Sequence, residues 1–394
     1  MDFDESLPTS LLFLKQLLIH LLEEFLYLKF VQALFIQVCH LYNVNKKEVE
    51  KVNKLYIMKG KELIETDTLN AGDIGALSKL TYTQTNDTLC TLDYRVVYEP
   101  ITFSHPYFGK AIKPVGKANE EKIANALTKL LEEDPTLIFE NNPETKQQCL
   151  YGIGDIHIET VVAKLKERFK IDVALDDIII PYRETIRGSV THRYKYKKQS
   201  GGHGQYGDVE ITFEPLNDYS VPFVFEEKVF GGAVPRAYFP AVEKGLVEAT
   251  KTGVLAGYPT LGIKATLMDG SYHSVDSSEM AFKTATIMCF KEAIPKAKPV
   301  LLEPFVTLHV YVDEEYTGDI MGHFNKKRAR VMGSDILEDG MLKITAEAPQ
   351  AEVMNYAVDL RSMTQGQGFF EMEFLGYEFA PEIVTNRIIE EHKN

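Results

Sequence analysis

The chain has 394 residues, 45% apolar and 25% charged, with a formal net charge of −14 at pH 7. The fractions are those of a soluble globular protein, the length asks for about two to four domains, and the acidity excludes nonspecific adhesion to nucleic acid while leaving room for a local basic patch. Cys39, Cys90, Cys149 and Cys289 are scattered without a CxxC spacing. That excludes a zinc ribbon and a secreted disulfide framework and fits a reducing cytoplasm.

Residues 11–41 are leucine-rich and carry no turn signals. Asp2, Asp4 and Glu5 stand where a signal peptide would be basic, and Lys15, His20, Glu23, Glu24 and Lys29 interrupt any ~20-residue membrane span, so no membrane is expected as a partner. From 41 to 98, short alternating runs (LYNVN, then 54–58 and 72–81) are split by turn signals, as in a β-barrel fragment. Between 100 and 180 the order is strand 109–115, helix 120–132, strands 136–140 and 148–153, helix 156–169 and strand 171–173. This is a split β-α-β arrangement. Its second helix puts Ile158, Val161, Val162, Leu165 and Phe169 on one face. His157 precedes that stripe and reads as a capping or interface residue, because no His or Cys stands at ligand spacing.

Residues 181–300 begin β-rich. In THRYKYKK, alternation places Arg193, Lys195 and Lys197 on one strand face and Tyr194 and Tyr196 on the other, and no acidic residue occurs from 187 to 207. A solvated edge strand guarded by lysines and an RNA-contacting strand both fit. A helix over 237–252 is followed by the strand LGIKATLM (261–268), a tight turn at Asp269-Gly270, and a helix over 278–290 that Ser277 or Ser278 caps. The tip between them offers His273, Ser274, Asp276 and Ser277 on rigid supports. Residues 303–394 repeat the split order, with strand 305–312, helix 314–328, strands 330–335 and 341–346, helix 350–363 and strand 368–377. The cluster Lys326, Lys327, Arg328 and Arg330 fits a helix end complemented by cations as well as it fits RNA binding. The tail from 381 is helical in pattern, charged and expected to be mobile.

The segment DGSYHSVDSSEMAFKTA (269–285) closely resembles the fourth domain of bacterial elongation factor G, the translocation factor of the ribosome. Further matches keep the family's order: GIGDIHIETVVAKLKERF (152–169) resembles its third domain, and SGGHGQYG (200–207), GGAVPRAYFP (231–240) and GVLAGYP (253–259) its fourth. Residues 314–328 and 365–370 resemble the fifth. The resemblance spans roughly 41–390 and implies a multidomain α+β fold. It divides into a partial β-barrel (41–98), a ferredoxin-like split β-α-β domain (99–180), a ribosomal-protein-like α/β domain (181–301) and a second ferredoxin-like domain with the tail (302–394). The resemblance also implies a cytoplasmic monomer whose partner is the ribosome: ribosomal RNA, and the tRNA and mRNA of the A site. On that reading the contacts come from His203, Gly204, Gln205, Tyr206, His273, Ser274, Val275, Asp276, Ser277, Lys195, Lys197 and Lys198.

Nowhere does the sequence contain GxxxxGK[ST], and Gly201, Gly202, Gly204 and Gly207 are followed by no Lys-Ser or Lys-Thr. No cofactor is therefore expected in this chain, although the family at full length uses GTP and magnesium, and no GTP hydrolysis is expected from it alone. Reading permitted codons for 13–40 from the third base gives FKTIADPFVGRISLFKVCTGTFYSGMS, which resembles the first half of the family's second domain. Residues 1–40 thus read as an aberrant, frameshifted segment, with Met1 an internal or artefactual start. Three functions compete: the ribosome-binding translocation portion of an elongation factor G, a ribosomal protection factor of the tetracycline-resistance type, and an inert fragment. A hydrolytic site at His273, Asp276 and Ser277 is disfavoured, because neighbours this close in sequence rarely form a triad.

Overall fold

The computed structural model describes residues 10–20, 23–32, 35–36, 39–60, 62–70, 73–116, 120–199, 204–338 and 340–392. The chain divides into two compact units, Met1–Ile178 with Asn355–Asp359, and Ile179–Met354 with Leu360–Asn394.

In the first unit the alternating runs after residue 39 become Cys39–Asn43, Glu48–Val52, Leu55–Lys59, Glu62–Thr66, Ile74–Ser78 and Thr88–Cys90, all in one eight-stranded sheet. The sheet is open, so the barrel is partial. The leucine-rich opening, in which no strand alternation is legible, supplies two long antiparallel strands, Ser10–His20 and Glu23–Gln32. They fill the space between Thr88–Cys90 and Ile74–Ser78. Neither strand contains Pro, so each residue in them keeps its backbone N–H donor, and together they pair two strands that would otherwise present bare edges.

A four-stranded antiparallel sheet follows, in the order Ile138–Asn141, Gln148–Gly152, Phe108–Pro114, Val173–Asp176, with helices Glu120–Glu133 and Asp155–Phe169 packed on it. Ile158, Val161 and Leu165 are buried and Val162 and Phe169 partly so, which is the stripe the spacing required. His157 braces the turn ahead of the helix without capping it: its Nδ1 accepts the Ile153 N–H (3.2 Å) and its Nε2 lies 3.0 Å from Asp134 Oδ2. That hydrogen bond, helped by those from Thr136, outweighs burial and holds the Asp134 carboxyl well below the usual range.

The second unit contains the other split β-α-β sheet, in which Pro299–Val312 pairs with Arg183–Ile186, Leu342–Pro349 and Phe369–Phe379, and Arg330–Ile336 lies outside Leu342–Pro349. Two predicted helices are shorter than their patterns. The run over 314–328 opens as a 3-10 turn before Thr317–Lys326, and that over 350–363 is broken into Gln350–Val353 and Tyr356–Met363. The tail is not loose: helix Glu382–Glu391 buries Val384 and Ile388 against Tyr182, Ala256 and Leu301. Val384 and Ile388 fall one turn apart, enough to dock a helix whose remaining apolar residues are Ile383 and Ile389. The two arginines of the basic cluster near 328 are structural. Arg328 binds both oxygens of the buried Glu303 at 2.8 Å and reaches Glu352, while Arg330 pairs with Glu347 and Glu378.

The rest of the second unit is an α/β domain with four strands, β1 (Val190–Lys198), β2 (Gln205–Pro215), β3 (Phe223–Glu227) and β4 (Ile263–Ser271), in the order β1-β2-β4-β3. Only β3 and β4 run parallel. Helices α1 (Phe239–Ala249) and α2 (Glu279–Ala293) cover one face, closing a core that includes Val209, Ile211, Phe213, Leu246, Leu267, Phe282 and Phe290. Asp269 and Gly270 are not a turn; they extend β4 to Ser271, pairing with Glu210 and Val209 past a bulge. Glycine serves close approach there, since a Cβ on Gly270 would fall 2.2 Å from the Asp208 carbonyl oxygen.

At the other end of this domain the buried Glu184 carboxylate accepts the backbone N–H groups of Leu255 and Ala256 (both 2.9 Å) and Tyr258 (3.2 Å). It thereby fixes the loop GVLAGYP. Glu184→Ala leaves three donors without this acceptor and is expected to cost about 1–3 kcal/mol, read as a lower urea midpoint at unchanged slope.

Candidate nucleic-acid interface

The hairpin β1–β2 sets Lys198 opposite Gln205 and Lys197 opposite Tyr206, and the β2–β4 pairing sets Asp208 opposite Ser271. These registers bring the loop after β1 and the loop after β4 to the same end of one sheet. The alternation in β1 holds: Tyr194 and Tyr196 pack on the core, while Arg193, Lys195, Lys197 and Lys198 face water. Their roles diverge. Arg193 binds Asp208 through two hydrogen bonds (2.8 and 3.1 Å) and Asp269 through a third (3.2 Å). Lys195 lies over the Tyr206 ring, 5.5 Å from its centre. Lys197 and Lys198 are exposed and without a side-chain partner among the described residues.

Asp208 is 1% exposed and accepts a further hydrogen bond from the Ser271 hydroxyl (2.5 Å). With that proton committed, the Tyr206 hydroxyl donates to Ser271 Oγ at 2.7 Å. Burial opposes ionisation of Asp208, but the hydrogen bonds from Arg193 and Ser271 outweigh it and hold its carboxyl below the usual range. The hydrogen bonds to Asp208, opposed by desolvation and helped by the charges of Asp208, Asp269 and Glu210, raise the Arg193 guanidinium above its ordinary value.

The two loops are laced to one another. Asp276 takes the Gly204 N–H on its side chain (3.1 Å) and the Tyr206 N–H on its carbonyl (2.8 Å), and the Ser277 hydroxyl donates to the Tyr206 carbonyl (3.0 Å). Ser277 also accepts the His273 N–H at 2.8 Å. Ser278 is the helix cap, its Oγ accepting the Ala281 N–H at 3.2 Å. His273 Nδ1 accepts the N–H groups of Val275 and Asp276 (3.3 and 3.1 Å), so the neutral ring carries its proton on Nε2. Its side chain is 52% exposed, and Nε2 has no partner among the described residues. Ser277 spends its hydroxyl on Tyr206, not on the imidazole, so the three side chains form no nucleophilic triad.

The expected site therefore separates into a scaffold and a face. Gly204, Tyr206, Asp276 and Ser277 hold the loops together, Gln205 is exposed but accepts the Tyr196 hydroxyl (3.1 Å), and His273, Ser274, Val275, Lys197 and Lys198 are exposed. His203 lies outside the described residues. Sequence reasoning missed Asp208 and Ser271, whose partners stand 15 and 63 residues away. Among the described residues no group of three His, Cys, Asp or Glu could hold a metal ion, and no described helix is long and apolar enough to cross a membrane.

Three family models match in chain order: elongation factor G domain III over residues 103–177, elongation factor G domain IV over 179–298, and the elongation factor G C-terminus over 300–388. The chain belongs to the elongation factor G family. A solved relative, the crystal structure of ttk003000868 from Thermus thermophilus, is 34% identical with a TM-score of 0.80 over 98% of this chain. The chain spans 58% of that protein's length. The laced tip thus belongs to elongation factor G domain IV, and the sheet carrying Arg328 to the family's C-terminal domain.

Arg193→Ala strips the buried Asp208 of its cation and is expected to cost about 1–3 kcal/mol, toward the lower end because the guanidinium is half exposed. The pH sign follows from the lowered Asp208 value. Its contribution is full above the unfolded carboxylate pKa of about 3.9 and is lost as pH falls through the folded value. Asp208→Asn should flatten the acid limb of a stability-versus-pH curve below about pH 4, and an unchanged limb would show that Asp208 does not carry it.

Proposed function

We propose that this chain is the ribosome-docking and translocation portion of an elongation factor G, whose domain IV tip enters the A site and holds tRNA and mRNA in the shifted state when coupled to the family's GTPase domain. The observation that carries the reading is the rigid outward face at the end of the β1-β2-β4 sheet. Lys197, Lys198 and His273 Nε2 are free of partners there among the described residues, while the side chains behind them are fully committed to one another. Such a face suits RNA, since lysine cations meet phosphates without base preference and a fixed imidazole N–H can donate to one acceptor. The work is positional. No bond is made or broken by these residues, and movement is biased by stronger binding to one of two ribosomal states. GTP and magnesium belong, on this reading, to the GTPase domain.

The purified chain should sediment with ribosomes at low salt and be released as salt rises. Lys197→Ala and Lys198→Ala should each weaken binding several-fold and lower the slope of log affinity against log salt by about 1, the signature of one lost phosphate contact. His273→Ala should weaken binding without changing that slope. Failure to sediment at low salt would remove the docking reading.

A further inference from the structure

The segment between β3 and α1 belongs to the same end of the sheet yet takes no part in the lacing described above. β3 runs parallel to β4, and the Lys228 N–H donates to the Leu267 carbonyl (2.8 Å), so the chain leaves β3 toward the tip. In VFGGAV, Val229 packs on the domain core and Val234 is buried within it. Between these anchors the chain reverses: Gly231 and Gly232 both have positive φ (67° and 71°) and the Ala233 N–H returns to the Phe230 carbonyl (3.4 Å). Two successive left-handed residues form a type of turn that glycine fills with the least strain. Downstream, Tyr238 stacks on Phe282 and its hydroxyl reaches the Ser277 carbonyl (3.4 Å), tying the loop to the His273 tip.

The consequence is that Phe230 stands 93% exposed on a turn fixed at both ends. A single exposed apolar residue needs no explanation by itself. This one, however, shares its end of the sheet with exposed Tyr272 and Val275 and with the cations Lys197 and Lys198, and the loop that bears it also carries Arg236, exposed and without a side-chain partner among the described residues. Aromatic rings on a rigid support, with unpaired cations on the same loop and at the same end of the sheet, are what a single-stranded nucleic acid recognises, because every base has a face to stack and a phosphate alongside.

We propose that Phe230 is a stacking platform for an unpaired base of the RNA bound at the tip, with Arg236 meeting the adjoining phosphate. The inference rests on the ribosome-docking reading and adds a third loop to it. In ribosome sedimentation at fixed salt, Phe230→Ala and Phe230→Leu should each weaken binding roughly 5- to 100-fold, and Phe230→Tyr should bind within about two-fold of the parent. Arg236→Ala should lower the salt slope by about 1. The thermal midpoint of every Phe230 variant should match the parent, as the ring touches solvent. Full binding by Phe230→Leu would show an apolar contact, as with a protein, and overturn the stacking role; full binding by Phe230→Ala would overturn any contact. If Lys197→Ala weakens binding and Phe230→Ala does not, this inference falls and the docking reading stands. If the parent does not sediment, both fall.

Discussion

One buried carboxylate organises the working end of this molecule. Asp208 on β2 is held by Arg193 from β1 and Ser271 from β4, so three strands are pinned at the point where their loops depart. Arg193 also holds Asp269, the residue that would have made the expected turn. A charge so enclosed is tolerable only with its cation and its hydrogen bonds in place, which makes the arrangement unforgiving and therefore specific. The loops inherit that rigidity through Tyr206, whose backbone is tied to Asp276 and Ser277 and whose hydroxyl joins Ser271.

The division between arginine and lysine follows from the same physics. Arg193, Arg328 and Arg168 each take up a carboxylate that is almost wholly buried, and Arg193 and Arg328 do so with two parallel bonds. Planar guanidinium suits that fork, while a strongly hydrated ammonium is less costly to leave in water. Lys197 and Lys198 remain outward at the tip, where Arg236 is the arginine left without a carboxylate among the described residues. A chain with net charge −14 can thus present a positive face without being basic, because its acidic residues neutralise arginines elsewhere.

Strands and helices with regular patterns were legible: the β1 alternation, the Ile158–Leu165 stripe and the cap at Ser278 all stand where the spacing put them. Two readings failed for identifiable reasons. Asp269-Gly270 has the composition of a turn, but a bulge and a close approach to Asp208 keep it in the strand. The tail looked unanchored because its four apolar residues are interspersed with charged and polar ones, yet Val384 and Ile388 pack with Tyr182, Ala256 and Leu301. The opening segment has no alternation to read, and its strands follow from the edges of its neighbours. In the candidate site, local chemistry marked the loops but could not say which residues were already spoken for.

By itself the amino-acid order determined which family the chain belongs to, the sequence of its elements, and the two loops where polar side chains gather, since these depend on local periodicity and on motifs contiguous in the chain. Only the tertiary structure decided that Arg193, Asp276 and Ser277 are internal braces while Lys197, Lys198, His273 and Phe230 are left exposed. A hydrogen bond across 63 or 72 residues leaves no trace in spacing, and whether a polar group is free or engaged is settled by what folding brings beside it.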